Sequence, residues 1–273
     1  MTQVVQAAPV DLGTRIMRTD RQRAALWRAE FIAVWVLILA GLIAFVMITV
    51  KLDSAFLAKV VPYILTGAWV TLFVSFVSIS LAIILAALGA LGRLSRNPVA
   101  NGIASFYVSL VRGTPLLLQI LFIYLALPQV GLVLPELACG IIALGFNYGA
   151  YMTEIFRAGI QAVPHGQTEA AESLGMTGRT TFLRIIVPQA FRIVIPAIGN
   201  DFIAMLKDSS LVSIVGVQEI LWRAQTIGRP TFQSMQTLII AALVYWTMTI
   251  VFSYVQGRLE RRMAAGDRAA RTV

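Results

Sequence analysis

The chain reads as an all-α membrane protein with about six transmembrane helices. Three observations predict this class. Hydrophobic residues make up 58% of the chain and charged residues 13%, where a soluble domain carries roughly 25% charged. The apolar residues gather into runs of the length needed to cross ~30 Å of hydrocarbon, about 20 residues of helix. The basic residues punctuate those runs instead of sharing one wettable face, so the net charge of +9 marks membrane topology and no nucleic-acid partner.

Each span follows in order. Residues 31–50, "FIAVWVLILAGLIAFVMITV", carry no charge. The basic stretch 1–30 before them has no apolar core, and no small-residue cleavage site follows them, so this span is expected to be an uncleaved anchor. Residues 60–92 are also uncharged. They are too long for a perpendicular crossing, which predicts either a tilted helix or an interfacial turn before Pro62. A third span runs through "SFYVSLVRGTPLLLQILFIYLAL" with Arg112 near its middle. The fourth covers about 135–160. The fifth, "FRIVIPAIGNDFIAMLKDSSLVSIVG", is the least apolar. The sixth, "SMQTLIIAALVYWTMTIVFSYVQ", precedes a second basic tail at 258–273. No span pattern recurs at a fixed offset, so inverted repeats are not visible.

Sixteen basic residues fall on one side of this arrangement, within 15–28, at Arg93 and Arg96, within 157–192 and within 258–271; Lys51, Lys59, Arg223 and Arg229 fall on the other. The asymmetry predicts that both termini and the polar stretch at 163–190 are cytoplasmic, with the Arg-rich tails touching anionic lipid. The chain has one cysteine, Cys139, and one histidine, His165. An intrachain disulfide and a His/Cys metal site are therefore excluded. Cys139 reads as a small packing residue and His165 as an exposed loop residue.

The polar stretch is the unusual one. In "HGQTEAAESLG", Gly166 can open a helix, Glu169 would fall in the first turn, and Gly175 suits a left-handed end. Ala170, Ala171 and Leu174 then share a face. A second short helix begins near Thr177, with Phe182, Leu183, Ile186 and Val187 on one side, and Pro188 closes it. The product is a compact two-helix knob, or by composition alone an amphipathic loop on the membrane surface. Charges inside spans cost about 2.5–3.5 kcal/mol each at the bilayer centre on insertion scales. Those of Arg112, Glu154, Lys207 and Asp208 that lie deep should accordingly face a cavity or each other; the alternative is that these charges sit near the interface or pair structurally to lock helices. Asn200 and Lys207, and Asp201 and Asp208, fall seven apart on neighbouring stripes of the fifth span; Asn147, Tyr151 and Glu154 line up on the fourth. Gly67, Thr71, Ser75, Ser78 and Ala82 form a small-residue stripe, the mark of close helix packing. Leu221, Trp222 and Arg223 sit on a candidate interfacial helix that anchors to the membrane or meets a delivering protein.

The run "VPHGQTEAAESLGMTGRTTFLRIIVPQA" resembles the EAA signature of permease subunits of bacterial ABC importers. "GAWVTLFVS", "YVSLVRGTPLLLQ", "NYGAYMTEIFRAGI" and "NDFIAMLKDSSLVSIVG" are similar to the polar amino acid branch of that family, in order from about residue 62 to the last span. Departures are Ser209, where the branch usually has Thr, and "FNYGAY", where an Asn-Ser-Ala run is frequent. The resemblance implies a type I importer permease core of five helices at 62–257, preceded by an extra helix at 31–50. It also implies that the knob docks on a separate ATPase subunit through Glu169, Ala170, Ala171, Glu172 and Gly175. That subunit would hold ATP and Mg, and this chain has no G-x-x-x-x-G-K-[ST] loop of its own. Further implied partners are a second identical or homologous permease subunit and a periplasmic or extracellular substrate-binding protein. A zwitterionic amino acid needs a cation for its carboxylate and anions or carbonyls for its ammonium. Arg112 and Lys207 against Glu154 and Asp208, with Asn147 nearby, would serve. No nucleophile–base pair or metal cluster supports a membrane enzyme. An ion-coupled carrier or channel for small polar solutes is the rival class; it needs no ATPase partner and has no use for the knob.

Overall fold

A computed structural model describes the backbone of residues 12–49 and 53–271 and the side chains of 23–48 and 53–263. Lys51, assigned above to the outer side, lies outside the described residues. The chain divides into two units, 1–54 and 55–273. In the first, α1 (Leu12–Thr49) is a single helix, so the basic stretch is helical from residue 12 onward and continuous with the span. Its apolar side chains are exposed, and Trp27 stacks on Phe31.

The second unit is all-helical over its described residues. α2 (Ser54–Leu94) runs unbroken through Pro62, which removes the interfacial-turn alternative. At 1.5 Å per residue it is ~60 Å long, twice the hydrocarbon thickness, and must tilt or project from the membrane. Its small-residue stripe is buried from Gly67 to Ala82 and packs against other helices. A Cβ on Gly67 would stand 2.7 Å from the backbone N of Ile220 and 2.9 Å from the carbonyl carbon of Glu219, so only glycine lets α2 approach that chain segment.

The third expected span is not continuous. α3 (Pro98–Arg112) and the helical stretch 116–130, which opens with α4 (Leu116–Leu121), meet at 104°. The cause is local. Gly113 caps α3, Pro115 has no N–H to donate, and Thr114 before it is pushed out of the helical region. α5 (Glu136–Gln161) is the central helix. It is lined with Gly140, Ala143, Gly145, Gly149 and Ala150, and it packs on α3, α4 and the fifth span. It carries Glu136, Glu154 and Arg157, as suits a helix covered by protein on most sides.

Residues 178–215 form one long stretch: α7 (Gly178–Thr181), a π-helical turn at Phe182–Ile186, α8 (Val187–Asp208) and a 3-10 turn at Ser209–Val215. Pro188 does not close the second short helix as expected. It sits at the start of α8, and the preceding π turn shifts the hydrogen-bond register where proline supplies no donor. α9 (Ile220–Gly228) and α10 (Ser234–Arg271) complete the unit. Among the described residues four helices are long and apolar enough to cross a membrane, and the bent pair makes a fifth. α5, with its charges, is the sixth long helix of the count.

One core joins α2, α4, α5 and α8 around Val74, Ala82, Ile120, Leu144, Met152 and Met205. A smaller one joins α2, α9 and α10 around Val60, Ile64, Ile220 and Ile240. Between them Glu219 is fully buried. Its carboxylate caps α9 by accepting from Trp222 N at 2.8 Å and also accepts from the Tyr245 hydroxyl. Burial pushes its carboxyl above the usual carboxylate range.

Candidate functional site: a charged cleft and an exposed helical knob

The second unit holds a cleft of ≈ 940 Å³ built from three elements. The bend contributes Arg112, Gly113, Thr114, Pro115 and Leu116. α5 contributes Asn147, Tyr148, Tyr151, Glu154 and Arg157, spaced so that successive turns present them on one face. α8 contributes Asp201, Ala204 and Asp208, at i, i+3 and i+7 on one stripe. The volume lies in the range of small-molecule sites.

The cleft's charges differ in how they are held. Glu154 is clamped by two cations: Arg93 Nε lies 3.2 Å from Oε1 and Arg157 NH2 2.7 Å from Oε2. Arg93 also donates to Ser105, and Arg157 to Gln161. Glu154 therefore ties α2, α3 and α5 together, as in the helix-locking alternative. Arg112 has no carboxylate partner among the described residues; its guanidinium lies 5.0 Å over the ring of Tyr151. Asp208 Oδ2 accepts from the Tyr148 hydroxyl at 2.7 Å. Asp201 Oδ2 is buried with no hydrogen-bond partner among the described residues. With Glu154 and Arg157 paired, one guanidinium and two carboxylates remain to meet a ligand.

Four of the five residues expected on the pathway, Arg112, Asn147, Glu154 and Asp208, line this cleft; Lys207 does not. Lys207 is exposed elsewhere on α8, because neighbours on a helix point about 100° apart and Asp208 occupies the inward position. Asp201, Tyr148 and Tyr151 join the cleft beyond those five. The seven-residue spacing of Asp201 from Asp208 was the signal for the first. Tyr148 gave none, since its partner is sixty residues away.

The polar stretch forms α6 (His165–Ser173), a turn, and then α7. The helix starts at His165, one residue before Gly166, so Glu169 falls beyond the first turn and not within it. Gly175 has φ +76, the left-handed conformation. Gly175 N donates to Glu172 O at 2.9 Å and Met176 N to Ala171 O at 3.1 Å, the paired bonds of a Schellman end. Thr177 then caps α7. Ala171 alone of the five residues expected to dock is buried; Glu169, Ala170, Glu172 and Gly175 are exposed, and Leu174 is 82% exposed. Gln189 reaches Gln167 at 3.4 Å and ties α6 to α8.

A bundle of long apolar helices around a charged cleft, with a polar two-helix knob at one end, defines a multi-pass membrane transport subunit. The chain belongs to the family of binding-protein-dependent transport system inner membrane components, whose model matches residues 78–265. It is 35% identical to the arginine transport system permease protein ArtQ of Bacillus subtilis (80% of this chain, 100% of that protein). It is 39% identical to the L-cystine transport system permease protein TcyB of the same organism (74% and 87%). It is 37% identical to the histidine/lysine/arginine/ornithine transport system permease protein HisQ of Escherichia coli (76% and 96%). A crystal structure of an amino acid ABC transporter with histidines matches with TM-score 0.74 and 39% identity, over 78% of this chain and 99% of that one. The methionine transporter MetNI, at 16% identity and TM-score 0.64, shares the fold. The chain is thus a multi-pass inner-membrane permease subunit of an ABC transport system.

Proposed function

We propose that the chain translocates polar amino acids inward, energised by a separate ATPase subunit and supplied by an external substrate-binding protein. The observation that carries this reading is the cleft. Arg112 can take an α-carboxylate, and Asp201 and Asp208 can take the α-ammonium and, on a longer substrate, a second cationic group. The permeases named above act on arginine, on cystine and on histidine, lysine and ornithine, all of which carry the same zwitterionic head.

In this proposal the knob of Glu169, Ala170, Ala171, Glu172 and Gly175 docks on the ATPase subunit, which holds ATP and Mg. A second permease subunit, identical or homologous, completes the pathway. Both termini face the cytoplasm. Supporting this, Arg93, Arg157, Arg179 and Arg184 belong to the end of the second unit where α2 finishes and α6 and α7 lie, while Arg223 on α9 and Arg229, which caps it, belong to the other. The basic tails contact anionic lipid.

The test is amino acid uptake and ATP hydrolysis by the assembled complex in proteoliposomes. Arg112→Gln and Asp208→Asn should each cut uptake by at least about tenfold, the size of one lost charge-assisted contact, while the complex assembles at normal yield. Lys207→Met, outside the cleft, should transport normally. Normal uptake by both cleft variants refutes the site.

A further inference from the structure

The bend after Arg112 leaves a carbonyl without its donor. In a continuous helix Val111 O would accept from the backbone N of residue 115, which is proline and has no N–H. What remains are two long contacts from Thr114, its backbone N at 3.5 Å and its hydroxyl Oγ1 at 3.4 Å. The gap is closed by a side chain from the next turn. Gln119 Nε2 lies 2.8 Å from Val111 O, 3.1 Å from Thr114 O and 2.9 Å from Thr114 Oγ1. Its other end is also held, since Asn147 Nδ2 donates to Gln119 Oε1 at 3.3 Å. Asn147 is buried on α5, the same helix that carries Tyr148 and Tyr151 into the cleft. Ile120, next to Gln119, is fully buried in the main core.

We propose that Gln119, oriented by Asn147, is a positioning residue that locks the bend and thereby holds the Arg112 guanidinium at the mouth of the substrate cleft. The inference rests on the reading of that cleft as the amino acid site. A carboxamide suits the task because its nitrogen donates to the stranded carbonyls while its oxygen accepts from α5. Hydrophobic packing at 119 would fill the space, take the side-chain donor from Thr114 O and leave Val111 O with only its long contacts to Thr114. Asn147 accordingly acts on the bend and not as a ligand of the substrate.

Two neutral substitutions of similar volume, Gln119→Met and Asn147→Leu, remove the donors without burying a charge. The complex assembled with its ATPase and binding protein is examined by hydrogen–deuterium exchange. Exchange across residues 110–121 should quicken about tenfold in each variant, the factor set by one or two lost hydrogen bonds, with 234–256 unchanged. Uptake of L-arginine and of L-glutamine is measured beside it; the KM should rise about tenfold with little change in maximal rate, as a displaced binding group predicts. The double variant should be no worse than either single, because the two residues form one unit. The double swap Gln119→Asn with Asn147→Gln, which keeps the combined side-chain length, should recover part of the loss. Unchanged exchange in Gln119→Met overturns the proposal, as does additive damage in the double variant. If exchange quickens while Arg112→Gln transports with unaltered KM, the lock stands and the cleft reading falls.

Discussion

Gly175→Val tests the knob most sharply, because the structure separates its local cost from its functional one. At φ +76 an L-residue is strained by about 1–2 kcal/mol, and a β-branched one sits at the upper end. No atom lies within 4 Å of where a Cβ would stand, so no clash adds to this. The strain shifts the turn's equilibrium about five- to thirtyfold toward an open form. The Gly175–Glu172 and Met176–Ala171 bonds are lost with it. The core clusters around Leu144 and Ile220 do not include this turn, so the protein should insert and fold at wild-type yield with its melting temperature nearly unchanged. A docking element is different. Opening the turn changes the angle between α6 and α7, and every contact to a partner groove depends on that angle. The expected result is that the ATPase fails to co-purify, or hydrolyses ATP without amino acid uptake. Gly175→Asn provides the control, since asparagine tolerates the left-handed region; it should retain most coupling. The assay is uptake per ATP hydrolysed in proteoliposomes, with the bound ATPase quantified on a gel. Wild-type uptake in Gly175→Val with the ATPase bound would refute the coupling role and return the stretch to a surface loop.

Two further outcomes are expected. Gly67→Ala drives a Cβ to within 2.7 Å of the Ile220 backbone, which no rotamer change can relieve; α2 and α9 must part, and thermal melting of the purified complex should fall by an amount reflecting roughly 1–3 kcal/mol, whereas an unchanged melt would mean the approach is looser than described. Glu154→Gln leaves Arg93 and Arg157 half-buried without their shared anion. It should lower stability by about 1–2 kcal/mol, between the surface and buried cases, while leaving the KM for uptake intact. A raised KM with unchanged melting would instead make Glu154 a substrate ligand.

The sequence by itself determined the class, the run of spans and the knob. Those properties are local: an apolar stretch of sufficient length must seek the bilayer, as residues 31–50 show, and a glycine placed after "EAAESL" must end a helix. The small-residue stripe from Gly67 to Ala82 was legible for the same reason, since spacing along one helix decides which side chains share a face. Tertiary structure decided what those faces meet. Lys207 and Asp208 are equally plausible in sequence, yet adjacent positions on α8 diverge by about 100°, and only the packing of α8 on α5 chooses which one enters the cleft. Glu154 could have been ligand or lock until Arg93, sixty-one residues away, was brought to its carboxylate. The bend at Gly113–Pro115 was written in local chemistry, but its stability was not. The group that closes the stranded Val111 carbonyl is held from α5 by Asn147, twenty-eight residues beyond Gln119, and a contact of that separation leaves no periodicity for the chain to display.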